Sequence, residues 1–316
     1  MINFLLLLQL FSYNKLGMSG AQFLQIGMGA RFQALASAGS ALGGDASSIY
    51  WNPAGLSKID SYDFTTTYSR WIETIYFSQS ALGVRRGNFS YGLGLIYMGM
   101  DPIEITTVYE PEGTGSSYTA SGIALGAGVS AILTDRLSVG FVGKIVREQI
   151  YNCSANGFAI DLGSLFEITK GGLTLGISLS NFGTDMQYKG RDVALGFKPE
   201  NLGTIYYETS QYPLPLLMRV GLSYPVNFGN NRLLLLVQSE HPNDNKERFS
   251  FASELLLNGI FALRGGYMLG HDVEDFSGGF GLYVPMNWAN LELDFAYVNK
   301  KYLKSQLFLS VSLSGR

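Results

Sequence analysis

Apolar and polar residues alternate along most of the chain after residue 60. In 173–180, leucine and isoleucine alternate with threonine, glycine and serine, and 89–97, 291–297 and 307–313 show the same period of two. That period predicts β-strands with one apolar face. The predicted strands are 62–69, 73–83, 89–99, 118–133, 137–149, 156–167, 172–181, 215–225, 232–240, 248–257, 260–269, 276–285, 290–299 and 305–313.

The second face of these strands differs from the water-exposed face of a soluble sheet. It is mostly glycine, serine and alanine with isolated charges, where a solvated face would carry many Lys and Glu side chains. An apolar outer face against lipid and a crowded interior explain both faces, and an even number of strands is usual in bacterial barrels. We therefore predict an all-β fold, a fourteen-stranded antiparallel transmembrane β-barrel over residues 61–316 in the bacterial outer membrane, with outer-membrane lipid as its surroundings.

The predicted connections alternate in length. Those at one end are short turns such as Asn258-Gly259, a strong two-residue hairpin signal. Those at the other end include the long polar segments 100–117 and 182–214. Short turns on one side and long loops on the other are typical of outer-membrane barrels, whose long loops face the outside of the cell.

Composition removes several classes of function. Charged residues make up only 15% of the 316 residues, and no apolar run is long enough for a membrane helix. A net charge of −3 gives no basic surface for nucleic acid. Cys153 is the only cysteine, and His241 and His271 are the only histidines, both in predicted loops. We predict no metal site, no cofactor and no catalytic residues, so the protein is not expected to be an enzyme.

The first 60 residues do not alternate. Residues 1–21 have the short apolar run and small-residue ending of a signal peptide, although no Lys or Arg precedes the run. Residues 22–60 are rich in small residues, and Asn52 before Pro53 favours a turn. We interpret this stretch as a plug, or hatch, inside the barrel. Its proposed motif is Asn52, Pro53, Ala54 and Gly55.

A charged side chain that faced lipid would be costly, by about 2–4 kcal/mol for an arginine at the bilayer midplane. Such side chains should face the lumen and pair with one another or with the hatch. Two interpretations stay open: the charges lock the hatch in place, or they line a polar conduction path. The predicted luminal charges are Arg31, Asp45, Asp161, Arg219, Glu254, Arg264, Glu292 and Asp294.

The N-terminal segment also resembles a known family. The runs 23–27, 29–31, 38–42 and 52–56, with Asp45 between them, resemble the N-terminal signature of the PorV/PorQ family, and 214–222 extends the resemblance. That family belongs to the FadL-like group of fourteen-stranded outer-membrane barrels. The resemblance implies a non-enzymatic partner of secreted proteins or secretion-system components in a type IX-like export or surface-attachment pathway.

FadL-like barrels provide the alternative function, a channel for the uptake of hydrophobic small molecules with a lateral opening in a kinked wall. Gly92, Gly94 and Gly99 could form such an opening in the third strand, or they could make room for the hatch. For the export function, the loop 182–214 could offer a docking patch, or it could fold over the barrel mouth as a lid. The patch residues would be Tyr206, Tyr207, Tyr212 and Pro213.

Overall fold

The computed structural model describes residues 17–191, 194–195, 205–206 and 209–315, with the backbone alone at 194–195 and 205–206. Its dominant feature is one antiparallel sheet. The sheet contains fourteen strands of nine residues or more: β1 Tyr62–Arg70, β2 Ile75–Arg86, β3 Phe89–Met100, β4 Ala120–Thr134, β5 Leu137–Ile150, β6 Cys153–Glu167, β7 Thr174–Gly183, β8 Leu217–Phe228, β9 Asn231–Pro242, β10 Arg248–Leu257, β11 Phe261–Leu269, β12 Glu274–Pro285, β13 Asn290–Lys300 and β14 Gln306–Ser314.

Each long strand pairs with its neighbours in sequence, and β1 pairs with β14, so the sheet closes into a barrel. Closure pairs the backbone groups that an edge strand would leave unpaired, a requirement for any sheet inside lipid. Shorter pairings lie at the long-loop end, where Ile103–Glu104 pairs with Ser117–Tyr118 and Lys189–Gly190 pairs with the start of β6. The predicted all-β, fourteen-stranded fold is confirmed.

The strands bury one set of alternate residues and expose the other. In β3 the exposed set is apolar, with Tyr91 and Leu93 both 54% exposed, while Ser90 and Gly92, which alternate with them, are buried. Exposed leucine, isoleucine, phenylalanine and tyrosine recur in the same way around the barrel. An outer surface of this kind suits lipid, and strands of nine to fifteen residues are long enough to cross the hydrocarbon layer at a tilt.

The two ends of the barrel differ as predicted. One end has tight turns, among them Asn258-Gly259, where both residues have positive φ. The other end carries the long connections after β3 and β7. Several strands extend further than predicted: β9 runs to Pro242, two residues beyond the predicted end at 240, so His241 lies at the end of a strand and not in a loop. No helix in the described part of the chain is long and apolar enough to cross a membrane.

Residues 22–60, here called the inner segment, lie within the barrel. The segment contains two 3₁₀ helices, Gln22–Gln25 and Pro53–Lys58, and two short α-helices, α1 Ala30–Ala34 and α2 Ser48–Trp51. Most of its side chains from Phe23 to Leu56 are buried. Helix α1 contacts β11 to β14, and the second 3₁₀ helix contacts β2 to β6, so the segment reaches opposite walls.

The structure describes only the end of the predicted signal peptide. Residues 1–16 lie outside the described residues. Gly17 and Gly20 donate backbone hydrogen bonds to the carbonyls of Asp244 and Pro213, in the loops at the long-loop end. The end of the predicted signal peptide therefore contacts the barrel mouth.

Candidate functional site

The motif Asn52 to Gly55 fastens the inner segment to the wall at the short-turn end. The Asn52 side-chain amide donates to the carbonyls of Ser40 and Ser164, at 2.6 and 2.9 Å, and its oxygen accepts from Ala54 N at 3.1 Å. Pro53 begins the 3₁₀ helix, where its missing N–H costs nothing. The wall meets this turn with Gly140 and Gly163, where no side chain would fit.

The three glycines proposed for a lateral opening lie in an unbroken part of the wall. Strand β3 pairs with β2 and β4 along its length, without a register shift. A Cβ on Gly92 would lie 2.8 Å from Leu56 Cδ1, and one on Gly94 would lie 3.2 Å from Ile49 Cγ2. Gly99 faces the hydroxyls of Tyr76 and Tyr97. Gly92 and Gly94 thus make room for the inner segment, which favours the packing interpretation at those two positions.

Six of the eight predicted luminal charges form one network, which includes Arg31 of the inner segment. Arg31 makes two hydrogen bonds to the Glu254 carboxylate, at 2.8 and 2.9 Å, and an ion pair with Asp45 at 3.4 Å. Arg264 contacts the same Glu254 at 2.7 Å and also pairs with Glu292 and Asp294. Burial raises the pKa of Asp45, while Arg31 opposes that rise. The network ties α1 to three strands.

A second network holds Arg219 on the long-loop side of the inner segment. The Arg219 guanidinium lies 5.4 Å from the ring centre of Tyr50 and 5.2 Å from that of Trp51, and its Nε donates to Glu240 at 2.7 Å. Arg248 contacts the other Glu240 oxygen at 3.1 Å. Burial raises the pKa of Tyr50 to about 12, so its hydroxyl stays protonated and donates to Leu24 O.

The remaining predicted charge, Asp161, pairs with Lys144 at 2.8 Å. Asp161 also accepts from the backbone N–H of Asn181, and Lys144 contacts the Asn181 side chain. Asn181 has a positive φ of 63° and stands where the β6–β7 register shifts. A positive φ at a register shift marks a β-bulge. This small cluster therefore fixes an irregular point of the wall.

Above Asn181 the ladder between β7 and β8 is interrupted. The last regular pair is Ser180 with Leu217, and pairing resumes only at Met186 with Tyr212. Between these pairs, Leu214 is buried beside Gly183, where its Cδ1 would lie 3.0 Å from an added Cβ. Pro213 and Pro215 lack the N–H that a ladder needs. The Asn181 side-chain amide donates to Pro215 O at 3.0 Å, and the Leu214 side chain, instead of a backbone ladder, closes the rest of this part of the wall.

A cavity of about 550 Å³ lies between the inner segment and the long loops. Its volume falls within the range of sites for small organic molecules. Ile26, Gln33 and Trp51 of the inner segment form part of its lining. The barrel and loops add the apolar side chains Trp71, Ile72, Ile75, Met98, Met268, Val273 and Leu303.

The charged groups in this cavity are balanced. Arg219 and Arg248 share Glu240, and Lys300 contacts Glu274 while its Nζ lies 4.4 Å from the centre of the Trp71 ring. His271 accepts hydrogen bonds at Nδ1 from Val273 N and Glu274 N, and burial lowers its pKa, so it is neutral there. The cavity therefore offers apolar and aromatic contacts with polar groups that are already paired.

The predicted docking patch is only partly described. Tyr207 and the Tyr206 side chain lie outside the described residues. Pro213 is exposed, whereas Tyr212 packs 5.9 Å from the ring of Tyr188 and donates to Glu148 at 3.1 Å. Tyr212 thus turns toward the barrel mouth instead of outward, because its hydroxyl finds an acceptor there.

Sequence reasoning did not single out Glu240, Arg248, Lys300 or Glu148. All four lie near the long-loop ends of strands. Glu148, Glu240 and Arg248 fall at or next to the ends of predicted strands, and Lys300 falls one residue beyond the predicted strand 290–299. The register of the neighbouring strands was the usable signal, because Glu240 lies opposite Arg219 on β8.

Solved structures with a similar fold include a FadL homologue of Pseudomonas aeruginosa, at 13% identity and a TM-score of 0.58, covering 91% of this chain and 98% of that one. The toluene transporter TodX of Pseudomonas putida matches at 14% identity and a TM-score of 0.59, covering 92% and 98%. The CymD monoaromatic hydrocarbon channel matches at 13% and 0.60, covering 92% and 97%.

The chain has the fold of FadL-type outer-membrane channels. At these identities the similarity shows the fold alone, which supports a location in a bacterial outer membrane and is consistent with a protein that is not an enzyme. No protein-family model matches the chain. No curated protein matches it.

Proposed function

We propose that the protein is a channel through which hydrophobic small molecules cross the outer membrane. The observation that carries the proposal is the cavity of about 550 Å³ with its aromatic and aliphatic lining, closed below by the inner segment. Similar folds in TodX and CymD, described as a toluene transporter and a monoaromatic hydrocarbon channel, support it. This was the alternative function in the sequence analysis, and it now replaces protein export as the preferred one.

A cargo molecule needs a way out of the cavity, and the inner segment fills the lumen toward the short-turn end. The interrupted ladder between β7 and β8 is our proposed lateral exit, with Leu214 as its removable closure. Displacing an aliphatic side chain breaks no hydrogen bond, whereas opening β3 would break a complete ladder on both sides.

Uptake of radiolabelled toluene by cells that lack other such channels tests the function. Ile72→Asp places a carboxylate in the cavity lining and is expected to reduce uptake several-fold. Ile103→Asp adds the same charge on the exposed connection after β3 and is expected to leave uptake unchanged. Equal uptake by the wild type and by cells without the protein would contradict the proposal.

A disulfide tests the exit. In a Cys153→Ala background, Met186→Cys with Tyr212→Cys links the two sides above the interruption, and Ser78→Cys with Tyr97→Cys links a paired position of β2 and β3. Oxidation of the first pair is expected to reduce uptake and reductant to restore it, while the second pair has no effect. The reverse result would move the exit to β3.

A second candidate, the PorV/PorQ-like export partner, is favoured by one observation. Val108 and Tyr109 are each 95% exposed at the tip of the connection after β3, where a partner could contact them. Purification from the native envelope tests it. Secreted proteins or secretion components that co-purify, and that are lost on Val108→Ser with Tyr109→Ser, would favour export over the channel.

A further inference from the structure

One carboxylate at the barrel mouth differs from the luminal carboxylates described above. Glu148 of β5 forms no ion pair with any residue that the structure describes, whereas Asp161, Glu240 and Glu254 each contact a Lys or Arg side chain. Its partners are neutral donors, the hydroxyls of Tyr212 and Tyr188 and the backbone N–H of Ala21. These donors satisfy the carboxylate oxygens but bring no positive charge, so an ionised Glu148 has no counter-ion among the described residues.

Glu148 faces open space on two sides. It lines a cavity of about 380 Å³ together with Met98, Tyr188 and Tyr212, on the side of residues 17–23. It also lines a cavity of about 180 Å³ bounded by Met98, Met100 and Ile150. Met98, Gln22 and Phe23 separate the first of these from the larger cavity described above. The carboxylate therefore stands in an apolar chamber next to the proposed cargo site.

The two tyrosine rings complete the environment of a cation site. Their centres lie 5.9 Å apart with an interplanar angle of 35°, and both rings adjoin the carboxylate. The faces of aromatic rings attract cations within about 6 Å, most strongly organic cations that have little water to lose. Burial and the Glu148 charge raise the pKa of Tyr188 to about 12, so both hydroxyls remain neutral donors to the carboxylate.

The loop above the mouth has the same sign of charge. The connection after β3 contains Asp101, Glu104, Glu110 and Glu112 and no Lys or Arg. A stretch with one sign of charge at a channel mouth raises the local concentration of the opposite ion. Anionic molecules would meet repulsion both at this loop and at Glu148.

We propose that the cargo of this channel is a hydrophobic molecule with an organic ammonium group, which Glu148 binds beside the rings of Tyr188 and Tyr212. This inference rests on the proposed channel function and specifies its cargo. The apolar part of the molecule would extend past Met98 into the larger cavity, where charges are already paired. The predicted cleavage after Ala21 would remove one donor from Glu148 and widen the chamber.

Three phenylethyl probes of similar size test the charge of the cargo. They are (2-phenylethyl)trimethylammonium, its neutral carbon analogue (3,3-dimethylbutyl)benzene, and the anion 3-phenylpropionate. Binding to the full-length protein in detergent micelles is measured by equilibrium dialysis against empty micelles. The ammonium probe is expected to bind about tenfold more tightly than the neutral one, and the anion most weakly.

Glu148→Gln keeps the size of the side chain and removes its charge, and it is expected to abolish the preference for ammonium while leaving the neutral probe unchanged. Asp135→Asn makes the same charge change on an exposed turn at the short-turn end and should leave the preference intact. Tyr188→Leu, a second variant, should reduce ammonium binding without removing the carboxylate.

The possible outcomes separate the two proposals. Equal binding of the ammonium probe by the wild type and Glu148→Gln, or tighter binding of the anion, overturns the cation site. If the neutral probe binds and is taken up by cells, the proposed channel function is supported even when the cation site is overturned. Failure of all three probes to bind overturns the cation site and also counts against the channel.

Discussion

The two halves of the lumen are built in different ways. Toward the short turns, the inner segment contacts the wall so closely that Gly140 and Gly163 have no space for a side chain. Toward the long loops, the same segment forms one boundary of a cavity of about 550 Å³. Close backbone packing closes one half, and larger aromatic and charged side chains leave space in the other. The function is therefore expected to reside in the long-loop half, and the stability in the short-turn half.

The largest expected effect comes from filling the closed half. Gly140→Val would place side-chain atoms on the backbone of Pro53 and Ala54, which lie 2.3 and 2.4 Å from an added Cβ. We expect little or no folded barrel, measured as the compact band of unheated protein in gel electrophoresis. Gly265→Val, where nothing lies within 4 Å, should fold normally. Normal folding of both variants would contradict the close packing of this half.

The next largest effect comes from the Arg31 network. Glu254→Leu leaves Arg31 and Arg264 buried with fewer partners and is expected to destabilise the protein by about 3 kcal/mol, measured by urea unfolding in lipid vesicles. Glu112→Leu removes an exposed carboxylate and should change the unfolding midpoint little. Equal stability of the two variants would mean that the network contributes nothing to holding the inner segment.

Tyr50 lies at the boundary between the halves and should have a smaller effect. Tyr50→Phe removes the hydroxyl that donates to Leu24 O at 2.9 Å but keeps the ring under Arg219, so about 1 kcal/mol of stability should be lost. Tyr109→Phe, at an exposed loop tip, is the control and should be neutral. A loss as large as that of Glu254→Leu would place Tyr50 within the closed half.

The smallest effect is a pH dependence of the open half. Burial lowers the pKa of His271 below its ordinary value of 6.5, so the folded protein binds fewer protons there than the unfolded chain does. The contribution to stability is therefore present above that value and declines as pH falls through it. Val273 N and Glu274 N donate to His271, so the hydrogen-exchange protection factors of these two amides, corrected for the intrinsic pH dependence of exchange, should fall as pH is lowered from about 7.5 to about 5.5.

His271→Phe should remove that change by removing the acceptor at every pH. His241→Gln, which alters a more exposed histidine at the end of β9, should leave it intact. Protection factors of Val273 and Glu274 that stay constant over this pH range in the wild type would contradict a role of His271 in ordering this loop.

The sequence allowed the barrel to be predicted because lipid imposes a strict rule on every strand. Alternation in β3 and β14 follows from one face meeting hydrocarbon and the other meeting the inner segment. The short turns were equally readable, since Asn258-Gly259 supplies the positive φ values that a tight hairpin needs. These features depend on neighbours in sequence and on the solvent, both of which a single sequence contains.

The site was less predictable because its residues come from distant parts of the chain. The pairing of Arg219 with Glu240 depends on register across a hairpin, and its stacking on Trp51 depends on where the inner segment lies. The interruption between β7 and β8 depends on a bulge at Asn181, a residue type that also occurs in ordinary loops. The glycines of β3 could be read in two ways until Leu56 and Ile49 were located.

The seam of the barrel has a consequence for its assembly. Asp63 lies opposite Ser314, so the closing ladder joins the first strand to be synthesised with the last. The inner segment precedes β1, which means that it leaves the ribosome before any wall exists around it. Contacts between such distant residues carry a large loop-closure entropy and form slowly. The inner segment is therefore present while the barrel closes and can serve as the surface on which the strands assemble.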